Sequence, residues 1–219
     1  MIDTLFIDLD GTLTDPKPGI TGSVRYALDK LGMPVAEDHS LDWIIGPPMQ
    51  ESLVQLTGSD ALAAAALQHY RDRFGTIGLF ENAVYPGIPE SLAALRAMGL
   101  RLHLATSKPW VYAERILEHF DLARFFDSVF GSELDGTNIR KTDLLPHAIA
   151  RTGADPARGL MIGDRKHDVL GALHVGLTPV GVLYGYGDRE ELVGAGARRL
   201  IERPAEMAGL VTPERRLRA

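Results

Sequence analysis

Leu5-Phe6-Ile7-Asp8-Leu9-Asp10-Gly11-Thr12-Leu13-Thr14 is the stretch on which the fold turns. Leu5 to Ile7 is a short apolar run of the kind that forms a buried parallel strand. It delivers Asp8 and Asp10 at the C-terminal end of that strand, where open α/β sheets place their ligand crevice. Gly11 then lets the backbone turn tightly. Two carboxylates so close together repel, so the site needs a cation or a raised pKa. Taken alone, the motif also fits an acidic turn that caps a strand, and the rest of the chain has to decide.

The chain has 219 residues, enough for one large domain or one domain carrying a smaller insertion. It is 45% hydrophobic and 24% charged, the balance of a soluble globular protein. A net charge of −6 argues against a nucleic-acid polymer as partner, while a small anion needs only a few local positive groups. The absence of cysteine excludes disulfides, thiolate catalysis and Cys-based zinc sites. Asp3, Asp8 and Asp10 are foreign to a signal peptide, and no apolar stretch approaches membrane-spanning length. The expectation is a cytoplasmic protein with no membrane partner, working as a monomer or homodimer.

Outward from the opening stretch, Asp15-Pro16-Lys17-Pro18-Gly19 reads as a linker. Three helical patterns follow: Val24, Ala27, Leu28 and Leu31; Met49, Leu53 and Leu56 after Gly46-Pro47-Pro48; and Leu62, Ala66 and Tyr70 behind a Ser59 cap. Little strand signal occurs between 15 and 85. Tyr85-Pro86-Gly87 is a second break, and helices then alternate with short strands. The helical stripes are Leu92, Leu95 and Met98; Ala113, Ile116, Leu117 and Phe120; and Val169, Ala172 and Leu173. The strands are Leu100 to Ala105, Ser128 to Phe130, Leu160 to Ile162, Pro179 to Leu183 and Arg198 to Ile201. A helix starting between Thr142 and Leu145 contains Pro146, which belongs in a first turn. Tyr184-Gly185-Tyr186-Gly187 reads as a flexible turn, Pro204 as the start of a last short helix, and Glu214 to Ala219 as a basic, mobile end.

This order predicts an α/β fold: a Rossmann-like parallel sheet with helices on both faces, plus a small α-helical cap inserted after the first strand. Residues 1–14 and 86–219 form the core, and 15–85 the cap. Both ends of the cap emerge beside the strand tips, so it sits over the crevice as a lid.

Four strand ends carry polar residues: Asp8 with Asp10, Thr106 with Ser107, Lys141, and Asp164 with Asp168. In a parallel sheet these ends converge on one edge. Carboxylates from two strands can hold Mg²⁺, which prefers oxygen ligands, and a hydroxyl and an ammonium nearby suit a phosphate.

At these residues the chain resembles the haloacid dehalogenase superfamily. Asp8-Leu9-Asp10-Gly11-Thr12, Thr106, Lys141 and Gly163-Asp164-Arg165-Lys166-His167-Asp168 match its four motifs. Gly46-Pro47-Pro48, Tyr85-Pro86-Gly87, Ala105-Thr106-Ser107-Lys108-Pro109 and Gly181-Val182-Leu183-Tyr184-Gly185-Tyr186-Gly187 narrow the similarity to its phosphoglycolate phosphatase-like and 5′-nucleotidase-like branch. The resemblance implies a Mg²⁺-dependent phosphatase of a small phosphorylated metabolite, a nucleoside monophosphate or phosphoglycolate. It implies that Asp8 is the nucleophile that forms an aspartyl-phosphate. Asp10 is the acid and then the base, Thr106 holds a phosphate oxygen with the amides of Leu9 and Ser107, and Lys141 pairs with Asp8 and the phosphate. The resemblance also implies that Asp8, the Asp10 carbonyl and Asp164 hold Mg²⁺, with Asp168 assisting directly or through water.

A phosphomutase of the β-phosphoglucomutase type shares these motifs and must shield its aspartyl-phosphate from water. A phosphate-binding protein without turnover is a further alternative on the same fold. A signalling receiver domain uses the same residue types in another order: its phosphoaccepting aspartate ends a later strand, and here the strand before Lys141 ends at Gly131. Within the cap, Lys17, Arg25 and Arg71 are candidates for a second polar group of the substrate, against the plainer expectation of solvated helix charges. Gly46-Pro47-Pro48 reads as either a specificity loop or a helix connection. His167 has no visible partner, His103 reads as a satisfied structural histidine, and Trp43 and Trp110 as packing residues.

Overall fold

The structure, a computed structural model, describes residues 1–211. It opens with β1 (Thr4–Ile7), all four residues buried. A two-residue strand, β2 (Thr14–Asp15), leads into α1 (Lys17–Lys30), α2 (Met49–Thr57) and α3 (Asp60–Arg73). The last runs on into a π-helical turn, Phe74–Gly78, and β3 (Ala83–Val84) brings the chain back. Alternation follows: α4 (Ile88–Ala97), β4 (Arg101–Pro109), α5 (Trp110–His119), β5 (Ser128–Ser132), α6 (Lys141–Thr152) and β6 (Gly159–Gly163). The chain continues through α7 (Lys166–Val175), β7 (Thr178–Val182), α8 (Arg189–Gly194) and β8 (Arg199–Ile201).

Six parallel strands form one sheet in the order β5-β4-β1-β6-β7-β8. The chain builds outward from β1 through β4 to β5, then returns to the other side of β1 for β6. That reversal is the switch point at which open α/β sheets bind ligands. Side chains of a strand alternate between faces. Leu5 and Ile7 accordingly join a core with Leu92, Leu95, Ile116 and Leu117 from α4 and α5. Phe6 joins another with Leu144, Leu145, Ala148 and Ala172 from α6 and α7. Burial on both faces is why β1 reads as an unbroken apolar run.

The helical segment between 15 and 85 hangs from a small antiparallel ribbon. Thr14 pairs with Val84 and Asp15 with Ala83, and the Tyr85 N–H donates to the Leu13 carbonyl at 3.0 Å.

Several boundaries differ from the sequence expectation. The expected linker at 15–19 is already helical from Lys17, because prolines are tolerated in a first turn and the Asp15 carboxylate accepts from the Lys17 N–H at 3.0 Å. Helix α6 starts at Lys141, so Pro146 lies inside it, without an N–H for the Thr142 carbonyl. Strand β4 runs to Pro109, past the polar residues expected to follow it, and β5 to Ser132. Leu62, Met98 and Leu173 are 40%, 50% and 49% exposed. The buried face of α3 runs through Ala63, Ala66 and Tyr70 instead, and Met98 falls just past the end of α4. Helix α8 was not expected; Asp188 caps it by accepting the Glu191 N–H at 2.7 Å. The expected mobile end from Glu214 lies outside the described residues.

His103 is the other correction. It is 3% exposed in mid-β4, and neither ring nitrogen meets a hydrogen-bond partner among the described residues. It packs instead among rings, 5.3 Å from Phe6 and 6.1 Å from Phe130 between centroids. Burial holds its pKa below the usual 6.5, with Asp127 opposing. Unfolding then takes up a proton, so the stability of the neutral form is complete above 6.5 and is lost as pH falls below it. Urea unfolding at about pH 7.5 and 5.5 should show the wild type losing more stability on acidification than His103→Leu. Parallel losses would clear His103 of that role.

Candidate active site

The Asp8 N–H donates to the Ile162 carbonyl at 2.9 Å, so the end of β1 is anchored against β6. Beyond it the amides of Thr12, Leu13 and Thr14 all turn back to the Leu9 carbonyl, at 3.2, 2.8 and 3.1 Å. Gly11 sits at φ +78°, and a Cβ there would run into the Asp164 carboxylate. Only glycine lets this turn lie so close to the end of β6. The Leu9 side chain is fully buried in the core, which leaves only its backbone for the site.

Asp8, Asp10, Thr106, Lys141, Asp164 and Asp168 are all buried at this edge of the sheet. Lys141, the first residue of α6, lies 3.0 Å from Asp8 Oδ1 and 2.5 Å from Asp168 Oδ1. It also donates to the Ala105 carbonyl at 2.6 Å. Asp168 Oδ2 accepts from the Arg165 N–H at 3.1 Å, which holds it in the first turn of α7. Asp164 Oδ2 accepts from the Tyr186 N–H at 2.8 Å. Its other oxygen has no hydrogen-bond partner among the described residues, although Asp164 is fully buried.

Ligand atoms of Asp8, Asp164 and Asp168 lie within 4.8 Å of one another, close enough to hold one metal ion. The donors are all oxygen, the set preferred by hard divalent cations, and the partnerless Asp164 oxygen fits a ligand role. Electrostatics agree. Burial first, then Asp168 and Asp8, push the Asp164 pKa well above the ordinary carboxylate value. Burial likewise raises Asp168 to about 6, with Lys141 opposing. Burial disfavours the Lys141 ammonium, but Asp168 and Asp8 outweigh it and raise its pKa.

Asp10 stands apart from that cluster. Burial raises its pKa, and Lys108 opposes the rise from 2.8 Å. Above lies a cavity of about 540 Å³ whose lining includes Asp8, Asp10, Thr106, Ser107 and Lys108. Gly46, Pro47, Pro48, Arg71 and Phe74 reach it from the helical segment. The Gly46-Pro47-Pro48 loop is held from the core: Arg165 donates to the Ile45 carbonyl and pairs with Glu191 at 2.9 Å. Gly46, at φ +102°, has no room for a side chain against Arg165. Arg140 and Glu51 add a second tie at 3.1 Å, and Arg71 donates to the Leu134 carbonyl at 2.5 Å.

The other candidates lie elsewhere. Lys17 is a correction: it is exposed, paired with Asp42 at 2.7 Å, and does not line the cavity. Arg25 braces the loop after α1 through the carbonyls of Val35, Ala36, Glu37 and His39. His167 lines a smaller hollow beside Ser107 and Lys141. Trp43 packs on the main core, but Trp110 is partly exposed and donates to Glu133 at 2.8 Å. Sequence reasoning passed over Lys108 and Arg165. The strand alternation carried a signal for the first, since Lys108 lies two residues beyond Thr106 on the same face.

Enzymes with a doubly wound sheet bind at this switch point, and here a buried acidic cluster able to hold a cation lies beside a cavity. The chain belongs to the haloacid dehalogenase-like hydrolases, whose family model matches residues 5–182. The 5′-nucleotidase of Pseudomonas aeruginosa is 48% identical over 189 residues, covering 86% of each chain. Tyrosine-protein kinase PtkA of Mycobacterium tuberculosis is 43% identical over 183 residues, 84% of this chain and 62% of its own. The plasmid phosphoglycolate phosphatase of Cupriavidus necator is 30% identical over 220 residues, 96% of this chain and 94% of its own. Among solved structures, a "predicted phosphatase from Clostridium acetobutylicum" superposes with a TM-score of 0.92 at 41% identity, covering 96% of this chain and 98% of its own.

Cation binding should show in stability alone. Saturating Mg²⁺ or Mn²⁺ should raise the wild-type Tm by about 5 °C or more. Asp164→Asn should raise the Tm without added cation, because an ionised Asp164 opposes folding, and should abolish the further rise. A wild-type Tm indifferent to both cations would count against the cluster as a metal site.

Proposed function

We propose that this chain is a Mg²⁺-dependent phosphatase of small phosphate monoesters that works through an aspartyl-phosphate on Asp8. The observation that carries the proposal is the division of the carboxylates. Asp8 shares a cluster with Asp164, Asp168 and Lys141, while Asp10 has its own lysine and opens on the cavity. A nucleophile and a proton donor need such different surroundings.

Asp8 attacks phosphorus as the bond to the leaving oxygen breaks. Asp10 supplies the proton to that oxygen. It then takes a proton from the water that cleaves the acyl phosphate. Thr106, Lys141 and the amides of Leu9 and Ser107 hold the phosphoryl oxygens. Asp8, Asp164, Asp168 and the Asp10 carbonyl are the ligands for Mg²⁺. When bound, the ion screens Asp8 from the phosphate and takes up charge on the transferring oxygens.

Residues 15–85 serve as a cap over a core made of 1–14 and 86–219. The paired crossings at β2 and β3 and the core's ties to the Gly46-Pro47-Pro48 loop support this division.

Among the two substrate classes, the cavity favours a nucleoside monophosphate. Phosphoglycolate carries, besides its phosphate, a carboxylate that would need a free cation. Among the described residues, the cationic side chain lining the cavity beyond Lys108 is Arg71, already bonded to the Leu134 carbonyl. Besides Asp8 and Asp10, the described lining carries the charges of Glu51, Glu133 and Asp135, with apolar Ile44, Met49 and Leu67 among them. An uncharged, bulky leaving group suits about 540 Å³ better than a two-carbon acid.

Phosphate release with Mg²⁺ tests this on nucleoside monophosphates, phosphoglycolate, sugar phosphates and p-nitrophenyl phosphate. Nucleotides should exceed phosphoglycolate in kcat/KM by about tenfold or more. Asp8→Asn should lower turnover by about 10⁴-fold or more with the fold intact, and EDTA should also abolish it. An Asp8→Asn enzyme at the original rate would refute the nucleophile. A long-lived phosphorylated Asp8 without release would turn the assignment towards a mutase, a transfer enzyme or a phosphate-binding protein.

A further inference from the structure

Lys108 is the charged side chain of the cavity floor to which the mechanism above gives no task. Its side chain is 5% exposed, and an ammonium so buried needs partners. It has two, one from each part of the chain. Asp10 Oδ2 lies 2.8 Å from Nζ on the core side. On the other side the Phe74 ring, which follows α3, presents its face with the centroid 4.6 Å from Nζ. A cation over an aromatic face is held by the ring quadrupole.

The base of Lys108 has little freedom. Its N–H donates to Thr106 Oγ1 at 3.3 Å. Its carbonyl packs on Gly131 of β5, where an added Cβ would come within 2.6 Å of it. Phe74 is seated as firmly, stacked on Tyr70 at 5.1 Å and edge-on to Tyr112 at 5.6 Å between centroids. Asp10 Oδ1 is enclosed and has no hydrogen-bond partner among the described residues, so Oδ2 and its ion pair fix the carboxyl group.

We propose that Lys108 is a positioning residue that couples the cap to the acid: with Phe74 over it, Lys108 pins Asp10 Oδ2 and so fixes the carboxyl group for proton delivery. If the cap moves away, the ammonium loses the ring and its shelter from water, and Asp10 loses its fixed orientation. The inference rests on Asp10 acting as the acid, and the experiment separates the two.

The experiment compares kcat/KM on a nucleoside monophosphate and on p-nitrophenyl phosphate, with Mg²⁺ and the full chain. An alkoxide leaving group needs a proton, whereas p-nitrophenolate departs without one. Asp10→Asn should lose far more activity on the nucleotide; if it does not, the assignment of Asp10 fails and the proposal with it. Given that signature, Lys108→Met should fall about 10²-fold on the nucleotide and stay within about fivefold on the aryl ester. Phe74→Leu should show the same selective loss to a smaller extent, and it keeps the proposal testable if Lys108→Met does not fold. Equal losses on both substrates would make Lys108 a structural or phosphate-binding group and overturn the proposal. A selective loss in Lys108→Met but none in Phe74→Leu would overturn the coupling to the cap.

Discussion

The structure depends on one ammonium group. Lys141 stands between Asp8 and Asp168, 3.0 and 2.5 Å away, almost without solvent. Remove its charge and three carboxylates face one another in a medium that cannot disperse their repulsion. The architecture answers this before any ligand arrives. Lys141 begins α6, next to β4 and β5, while the acids end β1 and open α7. Balance of charge at the site is therefore also a constraint on how two helices pack against the sheet. Gly171 of α7 illustrates the closeness, since a Cβ there would come within 2.6 Å of the Lys141 Cβ.

One lysine against three acids still leaves negative charge in excess. Burial first, and the neighbouring carboxylates after it, raise the pKa values of Asp164 and Asp168. A site that resists holding its own charge favours a cation. With the cation, it favours a phosphate that no lone carboxylate would approach. Asp10 escapes this pull through Lys108, whose ion pair is separate from the cluster. Two lysines thus divide four neighbouring acids between two different surroundings.

Much of this is legible in the sequence because the residues concerned sit at strand ends. An apolar run followed by Asp8 and Asp10, then Thr106, Lys141 and Asp164 after later runs, needs only the parallel topology to bring them together. Lys108 hid inside the same strand end as Thr106. Its partners, Asp10 and Phe74, are distant in sequence, and no local pattern announces an ion pair or a ring contact of that kind. Arg165 hid for the same reason: its task is a backbone carbonyl at Ile45, which leaves no trace in residue type. Lys17 shows the opposite failure, a charge in a suggestive place whose partner, Asp42, keeps it at the surface. The boundary at Pro16-Lys17-Pro18 misled because a proline pair suits both a linker and a first helical turn. His103 was placed correctly as structural, but the aromatic neighbours that replace its hydrogen bonds are a tertiary matter.

The two-residue ribbon of β2 and β3 has a consequence for how such a molecule can vary. The ribbon joins the outgoing and returning chain at Thr14 and Val84, so everything beyond it is a closed excursion from one point on the sheet. The six strands neither gain nor lose a neighbour through what that excursion contains. Helices there can be lengthened, reshaped or exchanged while the ends of β1, β4 and β6 keep their register. The sheet and the excursion above it are joined like a shank and a tool head at one collar, and the head can be recut as long as the Phe74 ring still covers Lys108.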